Sequence, residues 1–218
     1  MVVNRTDTGY AQPERFDYDN GAVVDLRQNS DYKVRAPTDT ETRLQRLAVL
    51  FQMTYVGAPM IYHGDEAGMW GADDPDDRKP MVWRDKDYDV EDNHPFGHDR
   101  PGDPVRFDED LFATCRDLIA LRRTHEALRR GSFGVVQADD EQTLLTFART
   151  HGPSALLVTF NRSGAAHSAR VTLPDPLRQS YETLRTVPGG TSVRIHQDEA
   201  TLLLEAPGHP GVVLRAFP

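Results

Sequence analysis

The stretch from Val56 to Trp83 concentrates the groups most able to do chemistry. Pro59-Met60-Ile61-Tyr62-His63 is a short apolar run, followed at once by Gly64-Asp65-Glu66 and then by the acidic loop Asp73-Asp74-Pro75-Asp76-Asp77-Arg78. An apolar strand that runs into a polar loop suits the edge of an active site, because a rigid element then positions the polar groups. Asp65 and Glu66 invite a reading as an acid/base pair. Neighbouring residues of a strand point to opposite faces, however, so the two cannot address one bond. Their position favours structural hydrogen bonding at a strand end. Asn93-His94 and His98-Asp99 invite a similar reading further along the chain and are assigned no direct catalytic role. The Asp-rich loop lacks the ligand spacing of an EF-hand, so no metal ligand is assigned.

Composition narrows the partners. The chain has 34 acidic residues against 25 lysines and arginines, a formal net charge of −9. That balance disfavours nucleic acid phosphates and anionic membranes, and suits neutral or weakly charged ligands. Cys115 is the single cysteine, without a partner for a disulfide or a thiolate metal cluster, and is assigned to core packing. No cofactor motif is found. Nothing near Met1 has the form of a signal peptide, and no apolar run is long enough to span a bilayer. Localisation stays open.

The elements that must hold these residues can be read from periodicity. Residues 1–37 are polar and aperiodic, a long ordered loop. Thr38-Asp39-Thr40-Glu41 has capping-box spacing, and Leu44, Leu47, Ala48, Phe51 and Tyr55 recur on one helical face, which predicts a helix over 39–55. Gly57 and Pro59 end it, and 59–63 suits a buried strand. Residues 64–105 are loop. A second helix is expected over 108–129, with acids at its start, Leu111, Cys115, Leu118 and Ile119 on its buried face, Gly131 as its stop, and Arg122, Arg123, Arg129 and Arg130 serving its dipole and solvent. From residue 132 the period becomes extended, with strand runs at 142–149, 155–161, 169–173, 192–196, 201–205 and 211–217 separated by Gly/Pro turns, the pattern of an antiparallel sandwich. The domain boundary is placed near 131.

The run Gly57-Ala58-Pro59-Met60-Ile61-Tyr62-His63-Gly64-Asp65-Glu66, followed by Asp74-Pro75-Asp76-Asp77-Arg78, strongly resembles the end of the catalytic barrel in the alpha-amylase family of glycoside hydrolases. The likeness is greatest to its cyclomaltodextrinase and neopullulanase branch, from which His63 departs, since tyrosine is usual there. The stretch from Pro104 to Leu111 and Leu118-Ile119-Ala120-Leu121-Arg122-Arg123 extend the match. The resemblance implies a fold that is α/β plus all-β: the last part of a (β/α)₈ TIM barrel over 1–130, with its seventh and eighth helices and eighth strand, then a C-terminal antiparallel β-sandwich over 131–218. A whole barrel of this kind needs about 250 residues, so the first part is expected to be a portion of one.

The same resemblance implies a retaining glycosidase acting on α-1,4-glucans, maltooligosaccharides or cyclomaltodextrins, in which one carboxylate is the nucleophile and another carboxyl the acid and then the base. All the catalytic carboxylates are expected to precede Met1, so no catalytic residue is assigned within the chain and the chain alone is expected to be inactive. By resemblance, Asp74 and Arg78 are the substrate-binding residues, the carboxylate accepting and the guanidinium donating hydrogen bonds to sugar hydroxyls. An internal salt bridge that shapes the loop is the competing role, and the two are compatible. Trp70 and Trp83 could stack on sugar rings or anchor their loops. The expected partner is an α-glucan oligosaccharide, with the remaining part of the barrel or a second copy as possible protein partners. The rival reading is a non-catalytic carbohydrate-binding or barrel-assembly module, which would bind maltooligosaccharides without turnover.

Overall fold

A computed structural model of the protein describes residues 35–71, 78–94, 97–141, 143–152 and 154–162, and beyond these the backbone of the strands between 167 and 217. The chain divides into two compact units, Met1–Gln45 with Ile61–Thr114 and Arg46–Met60 with Cys115–Pro218.

Helix α1, Asp39–Thr54, begins as the Thr-x-x-Glu spacing predicts. The Thr38 N–H donates to Glu41 Oε2 at 2.6 Å, and the Glu41 N–H donates to Thr38 Oγ1 at 3.3 Å. Each side chain thus satisfies a backbone donor that the first turn cannot pair internally. Arg35 closes on the same carboxylate through Nη1 and Nη2, both at 2.8 Å. Burial alone would raise the Glu41 pKa, but the hydrogen bonds from Arg35 and Thr38 outweigh it and hold the carboxyl below the ordinary 4.5. A carboxyl with a depressed folded pKa contributes stability above its unfolded pKa and loses it as pH falls through the folded one. Glu41→Ala is therefore expected to cost about 1 kcal/mol near neutral pH, with the gap to wild type closing in acid. Urea unfolding across pH 7 to 3 measures this, and a gap that does not change with pH would rule out the carboxylate as its source.

The strand expected over 59–63 does not form. These residues join no ladder, because a strand needs neighbours to take its N–H and C=O groups and no described segment pairs with it. The chain turns instead through a short 3₁₀ helix, Asp65–Ala67, between Gly64 and Gly68, both at positive φ. Asp65 and Glu66 therefore follow a helical turn and not strand alternation. Gly68 also lacks room for a side chain, since a Cβ there would lie 2.7 Å from Asp108 Cβ. Asp108 is the cap of the next helix: its Oδ1 accepts the Leu111 N–H at 2.8 Å, while its own N–H donates to Ala67 O at 3.0 Å.

The helix expected over 108–129 is two helices, α2 (Glu109–Thr124) and α3 (Glu126–Arg130), separated by His125 in an extended conformation. Thr124 Oγ1 bonds back to Ala120 O at 2.8 Å, and neither Thr nor His favours a helix interior. The buried positions of α2 are Leu111, Cys115, Leu118 and Leu121, whereas Ile119 is exposed. Arg122 continues the buried stripe and is itself buried. Its role differs from the expected one of serving its own helix and solvent. Nη1 donates to Met53 O and Tyr55 O at 2.8 and 3.1 Å, and Nη2 to Gly57 O at 2.5 Å, so Arg122 takes up the orphan carbonyls at the end of α1.

Gly131 follows α3, with a Cβ position only 2.2 Å from Ala127 O and 2.8 Å from Thr150 O. Its φ is −69°, so glycine is needed here for close approach and not for a left-handed turn. Among the described residues the strands that follow are β1 (Ser132–Asp139), β2 (Leu144–His151), β3 (Ser154–Asn161), β4 (His167–Thr172), β5 (Thr183–Thr186), β6 (Ser192–Arg194), β7 (Glu199–Leu204) and β8 (Gly211–Phe217). All pair antiparallel, as a six-stranded sheet in the order β1-β2-β3-β8-β5-β6 and a separate β4-β7 ladder. β1 and β5 were not expected from the sequence. β3 is buried along nearly its whole length, which explains its unbroken apolar run Ala155-Leu156-Leu157-Val158. Phe147 of β2 lies among Phe51, Tyr55, Phe133 and Phe160, with ring centroids 5.1 to 6.4 Å away. This cluster joins the end of α1 to β1, β2 and β3.

Candidate functional site

The loop region between the two long helices encloses a cavity of about 670 Å³, a size that suits a small-molecule ligand. Arg78 lies on its wall, with Trp70, Lys79, Tyr88, Asn93 and His94. Arg78 itself is exposed. Asp74, the other residue assigned to substrate, lies outside the described residues.

The wall is built around Trp70. Lys79 Nζ sits 4.2 Å and Arg100 Cζ 5.1 Å from the indole centroid, distances at which the ring quadrupole attracts a cation. Glu91 ties the two cations together, with Oε1 at 2.6 Å from Lys79 Nζ and 3.2 Å from Arg100 Nη1. Arg100, whose side chain is only 4% exposed, reaches Asp103 Oδ2 at 2.6 Å, and that same oxygen accepts the Ala36 N–H at 3.0 Å. Backbone bonds in both directions between Glu91 and Asp103, each 2.9 Å, close the frame. Such a network is stiff because each ion pair is partly shielded and each carboxylate has more than one donor. Lys79 is thereby fixed next to Arg78 in the chain. Of the two tryptophans, Trp70 is the loop anchor, whereas Trp83 is 58% exposed.

The remaining acid and histidine candidates fall into place individually. Asp65 Oδ2 accepts the Tyr62 N–H at 3.2 Å and Asp65 O accepts from Gln45 Nε2 at 3.2 Å, the structural hydrogen bonding expected of it. Burial raises its pKa. The rings of His94 and His98 meet edge to face at 4.7 Å. Asn93 and His94 lie on the cavity wall, whereas His98 and Asp99 do not. Among the described residues the carboxylates on that wall are Asp89 and Glu91, and Glu91 is already bonded by two cations. Among the described residues no group of three or more His, Cys, Asp or Glu is arranged to hold a metal, and no helix is long and apolar enough to cross a membrane. The tie formed by Glu91, Arg100 and Asp103 escaped sequence reading, since nothing in an aperiodic loop marks which of its many charges will pair.

In fold and motifs the chain is similar to members of the alpha-amylase family of glycoside hydrolases. Within that family it is similar to cyclomaltodextrinases and neopullulanases. It is 36% identical over 141 residues to a cyclomaltodextrinase of Geobacillus thermopakistaniensis, covering 65% of this chain and 20% of that one. It is 32% identical over 169 residues to neopullulanase 2 of Thermoactinomyces vulgaris, covering 78% of this chain and 25% of that one. The fold matches the crystal structure of an alpha-amylase from Geobacillus thermoleovorans complexed with acarbose, with a TM-score of 0.65 at 20% identity, over 84% of this chain and 34% of that one. The chain thus spans about 20 to 25% of the length of these curated relatives. No protein-family model matches it.

Proposed function

We propose that this chain is the C-terminal part of a glucan hydrolase of the cyclomaltodextrinase or neopullulanase type, acting on α-1,4-linked maltooligosaccharides or cyclomaltodextrins with retention of configuration. In this reading α1 and α2 with α3 are the seventh and eighth helices of a (β/α)₈ barrel, and residues 59–63 are its eighth strand, unpaired here for want of its neighbours. Residues 1–130 complete the barrel, and 131–218 form a sandwich domain from the two antiparallel sheets. The nucleophile and the acid/base carboxyl come from sequence outside these 218 residues. The nucleophile displaces the leaving sugar to form a glycosyl-enzyme, and water, deprotonated by the second carboxylate, displaces the enzyme in turn.

The observation that carries this reading is the position of Arg78 on the cavity wall, in the loop whose motif resembles that family's. A guanidinium beside aromatic surface offers fixed donors to sugar hydroxyls and a flat apolar face to the ring, and Asp74 would add the acceptor. Arg78→Ala is expected to weaken maltoheptaose binding to the purified chain by about tenfold, the loss of roughly 1.4 kcal/mol that one charge-assisted contact supplies. Isothermal titration of both proteins measures it. Equal affinities would remove Arg78 from the site.

A further inference from the structure

Trp83 is a large apolar side chain left 58% exposed on a segment that is otherwise firmly held. Its N–H donates to the Tyr88 hydroxyl at 2.5 Å, and its carbonyl accepts the Lys86 N–H at 3.4 Å, so both backbone groups of Trp83 are engaged within a tight turn. On one side Val82 is buried and lies on the cavity wall. On the other, the Arg84 guanidinium stands 5.1 and 5.0 Å from the rings of Phe107 and Phe112 and pairs with Glu109 at 2.6 Å. The backbone on both flanks is thereby anchored while the indole faces water. Tyr88, which holds the turn, also lies on the cavity wall. Exposing an indole wastes the apolar area that usually draws tryptophan inward. A rigid exposed indole beside a cavity is suited to a ligand with one flat apolar face and a polar rim, because little conformational freedom is lost on contact.

We infer that Trp83 is a stacking platform for a glucosyl ring of an α-glucan that extends beyond the Arg78 cavity, a binding residue distinct from Asp74 and Arg78. The choice of glucan rests on the proposed function, while the platform itself rests on the exposure and fixation of the indole. The neighbouring exposed side chains of Asp85, Lys86 and Asp87 supply donors and acceptors for the ring hydroxyls.

The test is titration of the purified chain with cyclomaltoheptaose and maltoheptaose, with cellohexaose as the linkage control, followed by calorimetry and by tryptophan fluorescence. With only two tryptophans in the chain, the emission can be assigned. A blue shift on adding either α-glucan is expected in wild type, and its loss in Trp83→Ala, together with about tenfold weaker binding. Trp83→Ala removes an exposed side chain, and an unchanged circular dichroism spectrum confirms its fold. Binding unaffected by Trp83→Ala but lost in Arg78→Ala overturns the platform and leaves the proposed site standing. Binding lost in Trp83→Ala but unaffected by Arg78→Ala does the reverse. No α-glucan binding by wild type, or equal binding of cellohexaose, overturns the platform as an α-glucan site.

Discussion

Phe147→Ala is expected to lower the unfolding free energy by about 4 kcal/mol, the range for emptying a fully buried aromatic site. The Phe147 side chain has no exposed surface, and four rings surround it: Phe133 at 5.1 Å, Phe160 at 5.6 Å, Tyr55 at 6.2 Å and Phe51 at 6.4 Å. Two of those neighbours lie on or just after α1 and two on the sheet, so the ring is the point through which helix and sheet share a core. Small movements of either element cannot refill the space, because each is constrained by its own hydrogen bonds. Phe147→Leu keeps most of the volume and is expected to cost about 1 to 1.5 kcal/mol. Chemical denaturation of the three proteins distinguishes a shared core from a peripheral contact. A loss below about 1 kcal/mol for the alanine variant would mean that the cluster does not join the two elements.

Arg149→Met is expected to cost about 3 kcal/mol. Arg149 is 1% exposed and has no carboxylate partner among its described contacts. Nη1 donates to Thr54 O at 2.5 Å, Nη2 to Gly131 O at 3.1 Å and Nε to Ser132 O at 3.2 Å. Burial, and then the charge of Arg122, pull its pKa below the usual guanidinium value. Two effects compete here. Desolvating a guanidinium is expensive, and replacing a buried ion by an apolar group of similar shape is sometimes stabilising. Against that, the thioether withdraws the donors from three carbonyls, one buried and two part-buried, and the positive charge sits at the negative end of the α1 dipole. With three charge-assisted bonds at stake, the second effect is the larger. Lysine should not rescue the variant, since one ammonium cannot reach three carbonyls held apart by a planar fork. A methionine variant as stable as wild type would show that desolvation wins.

What the sequence revealed, and what it hid, follows the range of the forces involved. The start of α1 was legible because Thr38 and Glu41 are three residues apart and bond to each other's backbone. The runs that became β2, β3 and β8 were legible because apolar density and turn residues are local signals. Less local outcomes were missed. Arg122 looked like a solvent-facing charge beside Arg123, yet it falls on the buried stripe of α2 because its partners are carbonyls 65 to 69 residues earlier in the chain. Arg149 gave no signal at all, and Ile119 was assigned to a core it does not enter. β1 escaped notice because its side chains are largely exposed or half-buried and Gly134 dilutes its pattern. At the site, Arg78 was assigned from its loop by resemblance, and Trp83 was left open between two roles. The Lys79-Glu91-Arg100-Asp103 tie was not visible, since its pairings span up to 12 residues of aperiodic loop.

The central claim is that these residues bind α-glucan while the catalytic carboxylates belong to sequence outside them. Its most direct test is release of reducing sugar from cyclomaltodextrin and maltooligosaccharides by the purified chain, with its intact mass confirmed so that no longer enzyme contributes. Maltoheptaose binding is measured on the same sample. The account predicts binding without release. Robust turnover that disappears in Glu66→Gln or Asp99→Asn would contradict it, and would place a catalytic pair within this chain.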